Sequence, residues 1–184
     1  YKIFTVPTIY GFILVGAIIG AVLARRVQMM QMPQTVAMLN GLGGLAGGIV
    51  GALTLVRIGI DPNSELLKYV LFVDFTAILA VVVGMVTFMG SLIAAGKLHR
   101  ILPQKPVVWK NHSLINIVFI VLSLVAVALV FFVESPALGF FGTRGFILAL
   151  GLVAGALFGV SFAIRVGGAD MPITISLLTS LAGV

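Results

Sequence analysis

The sequence predicts an all-α membrane protein, a polytopic bundle of about six transmembrane helices of which the last is cut short. Three observations predict this class: 61% of the 184 residues are hydrophobic, only 9% are charged, and the mean hydropathy is +1.27. This composition excludes a soluble class. Because a backbone in lipid must satisfy its own hydrogen bonds, long apolar runs are expected to be helices.

Six apolar runs follow one another along the chain. The first five are close to the roughly 20 residues that are needed to cross a bilayer, and the sixth is shorter. The predicted segments are 6–24, 35–56, 70–95, 113–133, 145–164 and 173–184. Asp74 is the only charged residue within them. The sixth run would reach only about 18 Å at 1.5 Å per residue. We therefore expect residues 1–184 to be one transmembrane domain, an internal piece of a longer membrane subunit.

The first three segments carry distinct local signals. The first lacks a basic leading region and a small-residue cleavage site, which argues against a signal peptide. The second begins beside Pro33, and proline suits the first turn of a helix because its missing N–H would be unpaired there anyway. The third has small and hydroxyl residues along one helical face: Thr76, Ala80, Gly84, Thr87 and Ser91.

The last three segments are equally regular. The fourth carries Asn116 and Ser123 seven residues apart, which places them on one face of a helix. The fifth contains Gly151, Gly155 and Gly159, and glycines at this spacing let membrane helices approach closely. The sixth begins beside a second proline, at position 172.

Residues 26–40 return as residues 165–179, at an offset of 139 and with no gap. Arg, Val, Met, Pro, Thr and Leu are identical at 26/165, 27/166, 32/171, 33/172, 35/174 and 39/178. Each copy contains a short connection, a proline at a helix start, and an apolar run with an amide or hydroxyl side chain. This matched pair of helix entrances suggests a pathway that both copies line.

Basic residues are divided unequally between the two ends of the predicted helices. One side carries Arg25, Arg26, Lys97, Arg100, Lys105, Lys110 and Arg165; the other carries Lys2, Arg57, Lys68 and Arg144 with Asp61, Glu65 and Glu134. The positive-inside rule therefore predicts that loops 25–34, 96–112 and 165–172 face the cytoplasm. It also accounts for the net charge of +6 without a nucleic-acid partner.

Four polar positions are candidates for a hydrated path. Asn40 and Thr179 each lie seven residues beyond a proline, roughly 10 Å into the helix. Ser91 lies roughly 7 Å from Gly96, where the third segment leaves the membrane on the same side. These three side chains thus have a similar depth, and Thr87 shares a face with Ser91. An asparagine in a membrane helix is a functional candidate, although an interhelical hydrogen bond that fixes packing is the alternative.

Other polar residues have simpler interpretations. Asp74 lies near the far end of its helix, so it either reaches the interface or serves as a proton entry or exit group. His99 and His112 fall in the basic loop and are expected to be solvated rather than metal ligands.

The sequence contains no set of residues that could perform bond chemistry, no spacing typical of a metal site and no cysteine. Movement of an ion or solute, or the anchoring of another domain, therefore remains. One alternative is a secondary transporter with parallel repeats and a midplane substrate site. It predicts a solute-sized midplane cavity and helices broken in mid-span. A passive anchor for soluble domains is a third interpretation.

Three blocks of the sequence resemble the β subunit of proton-translocating NAD(P) transhydrogenase. They are residues 26–37, residues 86–98, which read Val-Thr-Phe-Met-Gly-Ser-Leu-Ile-Ala-Ala-Gly-Lys-Leu, and the Gly-Gly-Ala-Asp-Met-Pro block at 167–172, followed by Ser-Leu-Leu at 176–178. The resemblance covers nearly the whole chain. It implies an enzyme that exchanges hydride between NADH and NADP⁺ and couples this reaction to inward proton movement.

The resemblance also implies a place for this chain in the complex. It would be the proton-conducting membrane domain, without catalytic residues, metal or bound cofactor of its own. NADP(H) would bind a domain beyond the C-terminus of this chain, and NAD(H) would bind the α subunit. The whole complex would be a dimer in the lipid bilayer of a bacterial plasma (inner) membrane.

Residue by residue, the resemblance implies roles for the candidate positions. Asn40 occupies the position where many family members have a proton-handling histidine, Ser91 matches a serine of the path, and Thr179 stands where the family often has asparagine. The coupling loop that faces the NADP-binding domain would include Arg165, Gly167, Gly168 and Asp170. Because asparagine does not titrate near neutral pH, the proton would move through water held by these side chains or through a group on a partner helix.

Overall fold

The computed structural model describes residues 7–57, 69–108, 110–132 and 143–183. Within these ranges the chain forms six α-helices: α1 (Pro7–Arg26), α2 (Met32–Leu55), α3 (Val70–Leu98), α4 (His112–Leu129), α5 (Thr143–Arg165) and α6 (Met171–Ala182). Five of them, all except α6, are long and apolar enough to cross a membrane. The predicted all-α polytopic bundle is confirmed.

Some of the sequence-based expectations fall on residues outside the described ranges. These are the segment ends Val6, Val133 and Val184, and the charged residues Lys2, Asp61, Glu65, Lys68 and Glu134.

Helix α3 lies at the centre of the bundle. It packs against α2, α5 and α6, and α4 packs on α5, whereas α1 buries none of its own residues. Apolar side chains fill the spaces between these helices: Leu55, Ile78, Val81 and Ile147 at one end, and Ala37, Ala94, Met171 and Ile175 at the other.

Glycines set the distances between α3 and its two largest neighbours. A Cβ atom added to Gly84 of α3 would lie 2.5 Å from the carbonyl oxygen of Gly44 on α2. A Cβ atom added to Gly159 of α5 would lie 2.6 Å from the carbonyl oxygen of Val86 on α3. Only residues without side chains allow backbones this close, so close packing of membrane helices, which the glycine spacing predicts, is present at both contacts.

The repeated sequence produces a repeated local structure. Gln28 and Gly167 are extended, and each precedes a 3₁₀ turn, Met29–Gln31 before α2 and Gly168–Asp170 before α6. Both helices then begin with a methionine and a proline in the first turn. Helices α2 and α6 therefore enter the bundle through equivalent turns, and both contact α3.

Helix α3 is longer than its apolar run indicates. It continues beyond residue 95 to Leu98, and it thus includes Lys97, which the sequence places in a loop. The ends of the helices on this side are joined by a hydrogen bond of 2.9 Å from the Gln34 amide to the carbonyl oxygen of Leu98.

Candidate functional site

Asn40 and Ser91 meet between α2 and α3. The Nδ2 of Asn40 donates a hydrogen bond of 3.1 Å to the Oγ of Ser91. Ser91 is fully buried, and a Cβ atom on the adjacent Gly41 would lie 3.0 Å from the Ser91 Cβ. The close approach of α2 at Gly41 thus brings the amide within reach of the hydroxyl, and the two side chains satisfy each other away from lipid.

Thr87 lies one turn along α3 from Ser91 and faces the same neighbour. Its side chain is fully buried against Gly44, and its Oγ1 has no hydrogen-bond partner among the described residues. A buried hydroxyl without a partner is costly, and a water molecule is the usual way to satisfy it. Three polar groups, Asn40, Thr87 and Ser91, therefore follow the α2–α3 contact.

A cavity of about 590 Å³ lies beside the Asn40–Ser91 pair, between α2, α3 and α6. Asn40 and Thr179 both line it, together with Gly43 and Thr76, among mostly apolar neighbours. The hydroxyl of Thr179 donates to the carbonyl oxygen of Ile175 on its own helix, at 2.9 Å. The structure thus brings Asn40 and Thr179 to one cavity but gives no hydrogen bond between them, and Ser91 and Thr87 lie outside its lining.

The predicted coupling loop joins α5 to α6 at the basic end of the bundle. Its two charged residues, Arg165 and Asp170, are exposed, whereas Gly167 and Gly168 are half-buried against the α3–α4 connection. The N–H of Gly168 donates to the carbonyl oxygen of Gln104 at 2.9 Å. The loop is therefore fixed at its glycines and presents its charges outward.

Lys97 fixes the same region and was not singled out by the sequence analysis. Its side chain is fully buried, and its Nζ donates to the carbonyl oxygens of Ile164, at 2.5 Å, and Val166, at 2.7 Å. The assignment of Lys97 to a loop is therefore wrong, because α3 continues to Leu98 and the end of α5 covers the side chain. The one signal in the sequence was its position directly after a run of small residues on α3.

Asp74 is the centre of an ion-pair cluster at the opposite end of the bundle. Its Oδ1 accepts from Arg57 at 2.9 Å, and its Oδ2 accepts from Arg144 at 3.0 Å. Asp74 and Arg144 are each 5% exposed. The carboxylate thus lies among α2, α3 and α5 rather than projecting into the interface, as one interpretation expected, because two guanidinium groups surround it. A lone carboxylate in a membrane segment is a signal that a cationic partner exists.

His112 begins α4 and is buried, so its expected solvation in the basic loop is wrong. Its Nε2 lies 2.9 Å from the carbonyl oxygen of Ser161 on α5, and the Ser161 hydroxyl donates to the Asn116 side-chain oxygen at 2.5 Å. Packing of α4 on α5 covers the imidazole. His99, in contrast, is exposed as expected.

Helices that are mostly apolar on the outside, with polar pairs buried between them, define a polytopic membrane protein. The chain belongs to the NAD(P) transhydrogenase beta subunit family, whose model matches residues 2–184. Two curated relatives, both named NAD(P) transhydrogenase subunit beta and both from Rhodospirillum rubrum, are each 36% identical over 174 residues, which is 93% of this chain. The resemblance seen in the sequence is confirmed. The chain spans 35% of the length of these relatives.

One common type of dinucleotide site has no counterpart among the described residues. A pyrophosphate site of the common type needs a strand, a glycine-rich turn and a helix start. The described ranges consist of α-helices, 3₁₀ turns and their connections. The cavity that Asn40 lines is mostly apolar and carries no basic side chain that could hold a phosphate.

Proposed function

We propose that this chain is the proton-translocating membrane domain of an NAD(P) transhydrogenase β subunit. It couples proton movement across the membrane to hydride transfer between NADH and NADP⁺, which takes place on other domains of the complex. NADP(H) binds a domain of the same subunit, NAD(H) binds an α subunit, and the complex is a dimer in a bacterial inner membrane. The loops 25–34, 96–112 and 165–172 face the cytoplasm.

The hydrogen bond between Asn40 and Ser91 is the observation on which this proposal depends. It joins Asn40, which lines a cavity together with Thr179, to the buried hydroxyl of Ser91, in a chain of this family. Neither Asn40 nor Ser91 gains or loses a proton near neutral pH. Water held by their side chains, and by the Thr87 hydroxyl, which has no partner among the described residues, therefore carries the proton past this level.

Coupling to hydride transfer takes place through the loop between α5 and α6. Because Arg165 and Asp170 are exposed, they are available to a soluble domain at this end of the bundle. The contact they make must differ between nucleotide states, since a partner shifts a conformational equilibrium only by its differential affinity for the two conformations. Asp74 is a proton entry or exit group at the opposite end, exchanging protons when its pairing with the two arginines loosens.

The alternative of a secondary transporter has less support. Helices α2, α3 and α5 run without a break through the bundle, whereas a midplane substrate site of that class uses interrupted helices. A passive anchor gives no role to the hydrogen bond between the half-buried Asn40 and the buried Ser91, and it does not account for the family membership.

The whole complex in sealed vesicles tests the proposal. With the basic loops facing outward, hydride transfer from NADPH to NAD⁺ should acidify the vesicle interior, and a pH-sensitive dye trapped inside reports the change. An imposed pH gradient with the vesicle interior acidic should accelerate the opposite reaction, hydride transfer from NADH to NADP⁺. Hydride transfer at full rate with no change of internal pH, in vesicles shown to be sealed, would contradict the proposal.

A further inference from the structure

Lys97 is a fully buried cation in an unusual position. Its Nζ lies against the carbonyl oxygens of Ile164 and Val166, in the last turn of α5 and just beyond it. The last carbonyls of a helix have no intrahelical partner and carry partial negative charge. Among the described residues, the ion pairs all involve Asp74 and none involves Lys97. The ammonium group is thus stabilised by the end of a neighbouring helix.

The carbonyl groups that Lys97 binds belong to the segment leading into the coupling loop. Two backbone hydrogen bonds support the same contact, from Val107 to the carbonyl oxygen of Ile164 at 3.2 Å and from Gly168 to that of Gln104 at 2.9 Å. The connection after α3 and the loop after α5 therefore form one attached unit. Val166 and Met171 pack on α3, and Lys97 adds hydrogen bonds from α3 itself to this unit.

Helix α3 also carries Ser91, and the distance between the two residues is short. Lys97 lies six residues beyond Ser91, roughly 9 Å along the helix axis. No proline interrupts this part of α3, and an uninterrupted helix is stiff over two turns. A displacement of the α5–α6 loop along the axis of α3 is therefore passed to Ser91, and through its hydrogen bond to Asn40.

We infer that Lys97 is the positioning residue that links the α5–α6 loop to the Asn40–Ser91 pair. This inference rests on the proposed function, because it assigns the connection between the nucleotide-dependent contact and the proton path. In this inference Lys97 contacts neither the nucleotide nor the translocated proton. Its role is to hold the end of α5 at a fixed position along α3.

Substitution of Lys97 in the full complex, in sealed vesicles, tests the inference. Lys97→Met keeps an unbranched side chain, one heavy atom shorter, and removes both hydrogen bonds. The number of protons moved per hydride transferred should therefore fall by roughly fivefold or more, the range that ordinary coupling energies give. Lys97→Arg can still donate to both carbonyls and should restore the ratio. Lys110→Met, the same change at an exposed lysine nearby, should match the parent.

If Lys97→Met does not assemble, Lys97→Gln replaces it, because the glutamine amide can still donate to one of the two carbonyl oxygens.

Several outcomes would overturn the inference. A proton-to-hydride ratio in Lys97→Met equal to that of the parent would do so, as would a ratio in Lys97→Arg as low as that of Lys97→Met. These outcomes differ from a failure of the proposed function, in which the parent itself transfers hydride without moving protons. A parent that couples normally beside an unaffected Lys97→Met would refute only the role of Lys97.

Discussion

Gly44 of α2 and Gly84 of α3 lie so close that a Cβ atom on either would overlap the carbonyl oxygen of the other, at 2.9 Å and 2.5 Å respectively. This contact lies one turn from Asn40 on α2 and two turns from Ser91 on α3. The separation of the two backbones therefore fixes the distance between the amide and the hydroxyl. Glycine at these positions serves the polar pair as well as the packing.

Gly84→Ala should thus destabilise the bundle and weaken coupling together. The added methyl group must push α2 away, at a cost of about 1–3 kcal/mol in unfolding free energy, and the Asn40–Ser91 distance should increase. The thermal unfolding midpoint of the purified complex measures the first effect, and proton movement per hydride measures the second. Gly47→Ala is the matched control, since a Cβ atom there would meet nothing within 4 Å. Equal midpoints for the two variants would contradict the packing argument.

Asn40→Leu should abolish proton-coupled turnover while hydride exchange between the bound nucleotides continues. Leucine has a similar size but cannot bind Ser91 or hold water, so the path becomes apolar at this level. Coupled turnover in sealed vesicles and hydride exchange in detergent are the two measurements. Asn116→Leu, the same change at the α4–α5 contact, should retain coupling because Asn116 is bound to Ser161, away from the cavity. Normal proton pumping by the Asn40→Leu variant would show that Asn40 is not part of the proton path.

The energy of the Asn40–Ser91 hydrogen bond can be measured by a double-mutant cycle. Asn40→Ala, Ser91→Ala and the double variant should give an interaction energy of about 0.6–2 kcal/mol, the range for polar pairs between membrane helices. Ser91→Ala should also reduce coupled turnover. Ser123→Ala provides the comparison, because the Ser123 hydroxyl donates only to the carbonyl oxygen of Phe119 on its own helix. An interaction energy near zero would mean that the two side chains act independently.

Asp74→Asn should destabilise the complex by about 3–5 kcal/mol, because it leaves the buried Arg144 and the half-buried Arg57 without a counter-charge. The expected result is a lower unfolding midpoint. A second substitution, Arg144→Gln, should recover part of the loss. If Asp74 also exchanges protons, coupled turnover will stay low in the double variant although its stability returns. Asp74→Asn with parental stability would show that the ion pairs contribute nothing.

The apolar runs determine most of the fold, and they are visible in the sequence. Segment lengths and prolines locate α2 and α6 within a few residues, because the local rules for entering a helix act within one turn. The depth of Asn40 and Ser91 follows from counting residues along two helices. Their hydrogen bond does not, since it depends on the rotation of α2 about its axis, which the glycine contacts set.

The contacts made by the charged and titratable residues cannot be predicted from the sequence, for a physical reason. Lys97, His112 and Asp74 are each satisfied by groups on another helix, far away along the chain. A cation next to a loop is usually solvated, so the burial of Lys97 cannot be recognised before the end of α5 is placed above it. The same holds for His112, whose partner Ser161 lies on α5.

Helix α3 carries a charged residue with partners on other segments near each of its ends. Asp74, near one end, and Lys97, near the other, are about 35 Å apart along its axis at 1.5 Å per residue, and the helix between them contains no proline. Under the proposed function, a shift of α3 that admits a proton at one end would also displace the ion-pair cluster at the other end. The two openings of the proposed path would then be coupled through this single helix.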